Sequence, residues 1–229
     1  VEQRRQVVQH PDGGVVADIL IHDGETVTGG QPLIRIDGAL LNTELVIVEG
    51  QYFEILARRG RLEAERADGT RIVFPEELVA TAEQRPELKA LMDGQSSLFA
   101  ARLDTLKQSL GQLAKQAEQV ESQIGGIDAQ ASALQKQRDF ISQELRDQRS
   151  LLEKGLAQAP RVLALEREAA RLDGQLGEIT ATRARAVTQL AEIDLSRLEK
   201  SATYREAAET ELRDLGYREL ELAERRRSL

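Results

Sequence analysis

The sequence predicts a mainly α protein: a long antiparallel α-helical coiled-coil hairpin with a small β module at its base. Three observations carry this reading. Pro is absent from Glu87 to Ala159 and from Arg161 to Leu229, with Pro160 alone between the two tracts. Since Pro costs about 3 kcal/mol inside a helix, such tracts suit two long helices meeting at a corner. Apolar residues recur in alternating steps of three and four through both tracts, the signature of a coiled-coil seam. Finally, aromatics make up 3% of the chain and charged residues 31%, with no Trp and no Cys. A thin seam of Leu, Ile, Val and Ala needs few aromatics, whereas a globular core usually buries several.

The first module, residues 1–38, has a β texture. Val7-Val8, Val15-Val16, Ile19-Leu20-Ile21 and Leu33-Ile34 with Ile36 read as short β-branched strands. The dipeptides Asp12-Gly13 and Asp23-Gly24 mark turns. Gly24 belongs in a tight turn, Val27 points inward, and Gly30 turns the chain into the next strand. The second section, 39–94, opens with a helix over about 39–67. Leu41, Leu45, Val48, Tyr52, Ile55 and Leu62 share one stripe, with Arg59 and Arg66 interrupting it, and Asp68-Gly69 ends it. Pro75, Pro86 and Gly94 then break the pattern, so 68–94 reads as a linker with a short helix near Glu76–Glu83. This first helix is expected to pack near the hairpin's base as a short three-helix section.

The third section, 95–229, is the hairpin, with its tip near 153–161. Fifteen seam positions run from Leu103 to Leu152, and thirteen are apolar; Arg138 and Gln148 are the exceptions. Phe99 extends the series backwards. Ten more run from Val162 to Ile193, and only Arg183 is not apolar. The phase then slips, and Leu198, Ala208, Leu212, Leu215, Leu222 and Leu229 carry a second register. The joining segment is short, which forces antiparallel neighbours. Arms of about 60 residues give a hairpin roughly 90 Å long. A charge on the seam must be paired or reach water. Arg138 and Arg183 therefore either set register or lift their heads beside acidic neighbours. Gly125-Gly126 lies off the seam and admits either a bend or plain local weakness, at about 1 kcal/mol per Gly.

Several functions are disfavoured. A formal net charge of −8 makes nucleic acid an improbable partner. Zero Cys removes disulfides, thiolate metal sites and Cys nucleophiles. His10 and His22 have no metal-ligand spacing, and Gly13-Gly14 lacks the Lys-Ser/Thr of a phosphate loop. Acidic residues on the helices alternate with Arg at solvated positions, so no catalytic pair stands out and no enzyme is expected. Apolar runs such as Leu45–Val48 fall far short of the roughly 20 residues of a membrane span. The chain opens on Val1 rather than Met, which reads as a piece of a longer protein.

The β module has a recognisable order: Gly14-Val15-Val16, an apolar strand, Asp23-Gly24-Glu25-Thr26-Val27, then Gly30-Gln31-Pro32-Leu33 and a strand. It resembles the first half of a biotinyl/lipoyl domain. Carrier domains of that fold bear a modified Lys, but the first Lys here is Lys89, so no cofactor is expected. A half-lipoyl module running into a long hairpin resembles the periplasmic adaptor (membrane fusion protein) family. Val7-Val8-Gln9-His10-Pro11-Asp12-Gly13-Gly14-Val15-Val16 is similar to the opening of its hemolysin D/alkaline protease secretion branch. So is the corner, Leu151-Leu152-Glu153-Lys154-Gly155-Leu156 followed by Arg161-Val162-Leu163-Ala164-Leu165. The resemblance implies a noncatalytic periplasmic adaptor in type I protein secretion. Such an adaptor joins an inner-membrane ABC exporter to a TolC-like outer-membrane duct, as a homo-oligomeric ring touching the duct through its hairpin tips. It also implies a membrane anchor, a second lipoyl half and a β-barrel domain outside these residues.

On that resemblance, Leu152, Gly155, Leu156, Arg161 and Leu165 are the candidate partner-binding residues at the tip. The plainer alternative is that Leu152 closes the seam and Arg161 is solvated. The family often carries a hydroxyl at this corner, and Ala157-Gln158-Ala159-Pro160 offers none. Rival functions are a multidrug-efflux adaptor of the same superfamily, a carrier domain of an enzyme, and a cytosolic structural coiled coil.

Overall fold

The structure, a computed structural model, describes residues 7–10 and 13–229. The elements are β1 (Val16–Ile19), β2 (Ile34–Ile36), α1 (Ala39–Arg66), α2 (Glu76–Ala82), α3 (Pro86–Glu153) and α4 (Ala159–Ser228). They fall into two compact units.

The first unit comprises residues 1–64, 69–96 and 209–229. Its β part is one antiparallel ribbon, β1 against β2, with an irregularity between Val16 and Asp18. Flanking bonds from Leu20 N–H to Leu33 O and from Asp37 N–H to Val15 O lengthen the pairing. Gly14 has φ +149°, and a Cβ there would lie 2.5 Å from Ile36 Cγ2, so a side chain at this position would have to displace Ile36. Both expected turns form: Glu25 N–H bonds to His22 O across Asp23-Gly24, and Gln31 N–H to Thr28 O across Gly29-Gly30. Two expectations change. Val7-Val8 forms no strand, while Arg5, Gln6, Pro11 and Asp12 lie outside the described residues. Val27 is 44% exposed rather than inward, and Val15, Val16, Ile19 and Ile34 are exposed too. A ribbon of two strands has two faces, and among the described residues no second layer covers either.

Asp37 starts α1 by accepting a hydrogen bond from Ala39 N–H. Its end is a two-bond cap: Asp68 N–H bonds to Glu65 O and Gly69 N–H to Ala64 O, with Asp68 in the left-handed region at φ 51°. Between these ends α1 buries more than the expected stripe. Phe53, Leu56 and Ala57 are buried alongside Val48, Tyr52, Ile55 and Leu62. Helix α1 meets α2 and the ends of both long helices, packing Tyr52, Phe53, Leu56 and Ala57 with Leu78, Leu88, Met92 and Leu222. A helix with neighbours on several sides needs a wide apolar arc. Pro86 and Gly94 are not breaks, because α3 begins at Pro86 and runs through Gly94. Pro suits the first helical position, where its missing N–H has no partner to lose.

The second unit comprises residues 65–68 and 97–208. Here α3 and α4 run antiparallel, burying Phe99, Ala117, Val120, Val162, Leu165, Ala169, Leu172 and Ala186. Arg138 Nε bonds to Asp173 at 2.6 Å and Arg183 Nε to Asp128 at 2.7 Å, so both seam charges reach an acidic partner on the opposite helix. Gly125 and Gly126 lie in unbroken helix with open space where a side chain would be. Leu198 is not a seam residue: it is 69% exposed. Beyond Ile193 the inward positions pass to Ser196, Ser201 and Tyr204, all half-buried, before Ala208 closes the seam again. Among the described residues, no helix is long and apolar enough to cross a membrane.

Candidate docking tip

The corner is built by the end of α3. Gly155 N–H bonds to Leu152 O and Leu156 N–H to Leu151 O, both at 2.9 Å. This pair of bonds requires a left-handed residue just past the helix, and Gly155 supplies it with φ +70°. The return helix starts where Arg161 N–H bonds to Gln158 O, with Pro160 in its first turn. Five residues therefore reverse the chain.

The predicted site residues divide by environment. Leu156 stands out at 73% exposure beside exposed Gly155. Leu152 is half-buried. Leu165 is buried, 5% exposed, and its contribution is to lock the first turns of α4 onto α3. Arg161 is exposed but bonded to Glu144 of α3. A second cross-helix pair, Arg149 with Glu166 at 2.5 Å, lies nearby. These are exposed pairs, each worth well under about 1 kcal/mol; they hold the guanidinium groups in place more than they stabilise the fold. Two further apolar residues of the corner motif, not among the candidates, stand in water: Leu163, 55% exposed, and Leu151, exposed beside the turn. Both were legible as apolar residues off the seam, since Val162 and Leu165 hold the inward positions. The tip thus presents three Leu side chains bordered by Arg–Glu pairs.

Among the described residues, no group of His, Asp and Glu is placed to hold a metal ion. A hollow of about 620 Å³ is an open groove between α3 and α4 lined by Thr105, Ser109, Ser196 and Thr203 among others. It lies where small hydroxyl residues replace seam leucines.

The family model described as "AprE, long alpha-helical hairpin" matches residues 41–229. The chain belongs to the AprE long-hairpin family. Among AprE-type relatives, it is 35% identical over 228 residues to the type I secretion system membrane fusion protein PrsE of Rhizobium meliloti (strain 1021). That match covers 99% of this chain and 51% of the relative. It is 26% identical to the alkaline protease secretion protein AprE of Pseudomonas aeruginosa, over 93% of this chain and 49% of that one. The proteases secretion protein PrtE of Dickeya chrysanthemi is 28% identical over 77% of this chain and 39% of its own. The chain thus spans about half the length, or less, of these curated relatives. The crystal structure of the soluble domain of LipC, a membrane fusion protein of a type I secretion system, has the same fold. Its TM-score is 0.89 at 22% identity, covering 98% of this chain and 84% of that one. The AprE match and the hairpin agree with the family and fold expected from the sequence.

Proposed function

We propose that this chain is the hairpin-bearing part of a noncatalytic periplasmic adaptor in type I protein secretion. The observation that carries the reading is the 35% identity to a type I secretion membrane fusion protein across 99% of this chain. Two protease secretion proteins among the relatives favour protein export over drug efflux. The first Lys at position 89 argues against a carrier domain. In this reading the β module, 1–38, and the section 39–94 form the base, and the hairpin, 95–229, bears the docking tip. The adaptor is anchored to the bacterial inner membrane in the full-length protein and assembles as a ring on an ABC exporter. ATP chemistry belongs to that partner.

At the tip, Leu156 and Leu163 supply apolar contact to a TolC-like outer-membrane duct. Gly155 permits the turn that exposes Leu156, Leu152 and Leu165 hold the two helices together beneath it, and Arg161 offers hydrogen bonds at the rim. The test is secretion from cells carrying the full-length protein with Leu156→Asp and Leu163→Asp. Both positions are exposed, so the helical circular dichroism of the variant should match the parent. Secretion should be abolished. Normal secretion by a stably expressed variant overturns the tip assignment, and failure of photo-crosslinkers at 156–160 to capture an outer-membrane duct overturns the orientation.

A further inference from the structure

In a two-stranded coiled coil the back of each helix faces water and is ordinarily charged. In α4 it is not. Alternating steps of four and three from Ala170 give Gly174, Gly177, Ala181, Ala184, Thr188, Ala191, Leu195, Leu198 and Ala202. All ten positions are uncharged and all are exposed, in a chain where 31% of residues carry charge. The face is more than small residues, since Leu195 and Leu198 continue it with more than half their surface in water. A second uncharged series occupies the outer edge of α3: Ser122, Gly126, Ala129, Ala133 and Phe140, broken only by Lys136. Phe140 is 72% exposed among the described residues.

The two faces fit each other. The ion pairs Arg138–Asp173 and Arg183–Asp128 fix which residues stand level across the hairpin. By that register Phe140 is level with Arg171, Ala133 with Glu178, Ala129 with Thr182 and Gly126 with Arg185. Side by side and pointing the same way, one hairpin's α3 edge would meet the next hairpin's α4 back at equal height. Phe140 then falls between Ala170 and Gly174, where the glycine leaves open space around its Cα. Ala133 falls at Gly177, and Ala129 at Ala181. One flanking pair is opposite in sign, with Lys136 within a turn of Glu178. Among the described residues neither Lys136 nor Glu178 has an ion-pair partner within the chain. Small residues let helix backbones approach closely, and a large knob opposite a glycine fills what they leave.

We propose that the back of α4 packs against the outer edge of α3 of a second copy of this chain, with Phe140 seated over Ala170 and Gly174. The contact joins two different surfaces, so it repeats around an axis and closes into a ring when the rotation allows. It rests on the reading that copies assemble side by side, and it names the faces that do so.

The chain contains no Cys, so introduced pairs report cleanly. The full-length protein would carry Phe140→Cys with Gly174→Cys, and be oxidised in whole cells. The expected result is a ladder of disulfide-linked multimers. Each single variant alone should stay monomeric, and the two single variants expressed together should give a dimer. A Phe140→Cys homodimer overturns the pairing, because it requires like faces to meet. Multimers captured by an amine crosslinker, with no disulfide between 140 and 174, overturn these faces and leave the ring standing. No multimer by either route overturns both.

Discussion

Replacing Arg226 by Ala should unfasten the end of α4 from α1 and α2. The Arg226 guanidinium lies 5.2 Å from the ring centroids of both Tyr52 and Phe53. It also donates to Glu49 at 3.0 Å and to Glu77 at 2.5 Å. Its side chain is 29% exposed, so these contacts are partly screened. Two cation–π contacts at about 0.5–1 kcal/mol each and two part-exposed ion pairs at roughly 0.2–1 kcal/mol each sum to about 1.4–4 kcal/mol. Shared partners make them less than additive, so about 2 kcal/mol is expected, or near 30-fold in a local opening equilibrium. Hydrogen exchange of peptides covering 217–228 reads that equilibrium directly. Arg226→Lys keeps the charge but loses the planar fork and the stacking, and should fall between parent and Arg226→Ala. Arg227 is the internal control, because its ion-pair partner is Glu224 one turn away; Arg227→Ala should change exchange less than twofold. If Arg226→Ala also exchanges within twofold of the parent, the rings and carboxylates around it are not what holds this end.

The same cluster predicts a pH response. Burial pushes the Glu77 carboxyl up, but the hydrogen bonds from Arg226 and Tyr52 and the Arg226 charge outweigh it and hold it below its ordinary range. A carboxyl lowered by folding stabilises fully above its unfolded value, about 4.3, and that stabilisation is lost as pH falls through the folded value. Protection of 217–228 should therefore hold from neutral pH to about pH 5 and decline below. Glu77→Gln should flatten the decline, and parallel pH profiles in parent and variant would refute the assignment. At the tip, Gly155→Ala forces an L residue to φ +70° and should cost about 1–2 kcal/mol. Gly125→Ala, in open helix, should stabilise by about 0.5–1 kcal/mol. Thermal unfolding followed by circular dichroism separates the two. Leu165→Ala should lower stability by about 2 kcal/mol or more through loss of a buried side chain. Leu156→Ala, at an exposed position, should stay within about 0.5 kcal/mol of the parent while impairing secretion.

What the sequence made legible is what a period can encode. The seam from Leu103 to Ile193 repeats in steps of three and four on both arms, and the structure buries or half-buries every position but Arg183, with Arg138 and Arg183 reaching Asp173 and Asp128. The corner was legible because Gly155 and Pro160 each have one conformational use there. The misreadings share a cause: local signals do not say what lies opposite. Val27 reads as inward only if a second layer covers the ribbon. Pro86 and Gly94 read as breaks, yet a Pro in the first turn of a helix removes no bond and a Gly on an open face meets nothing.

Leu198 carries the same lesson further. It reads as a seam residue because it is apolar and near the right spacing, but α4 carries two apolar series, and a count of hydrophobic residues cannot say which one faces α3. The structure settles it: Ser196, Ser201 and Tyr204 turn inward while Leu195 and Leu198 turn out. Putting serines on the seam and leucines in water is costly for an isolated hairpin, since each exposed Leu forgoes roughly 1.5–3 kcal/mol of burial. The arrangement makes physical sense if the outward series is buried in an assembly. The apparent slip of register after Ile193 is then the point where the sequence serves a second neighbour as well as the first. If that is so, Leu198→Gln should leave the thermal unfolding of the monomer unchanged and weaken multimer formation. A Leu198→Gln variant that unfolds at lower temperature as a monomer would return Leu198 to the intrachain seam.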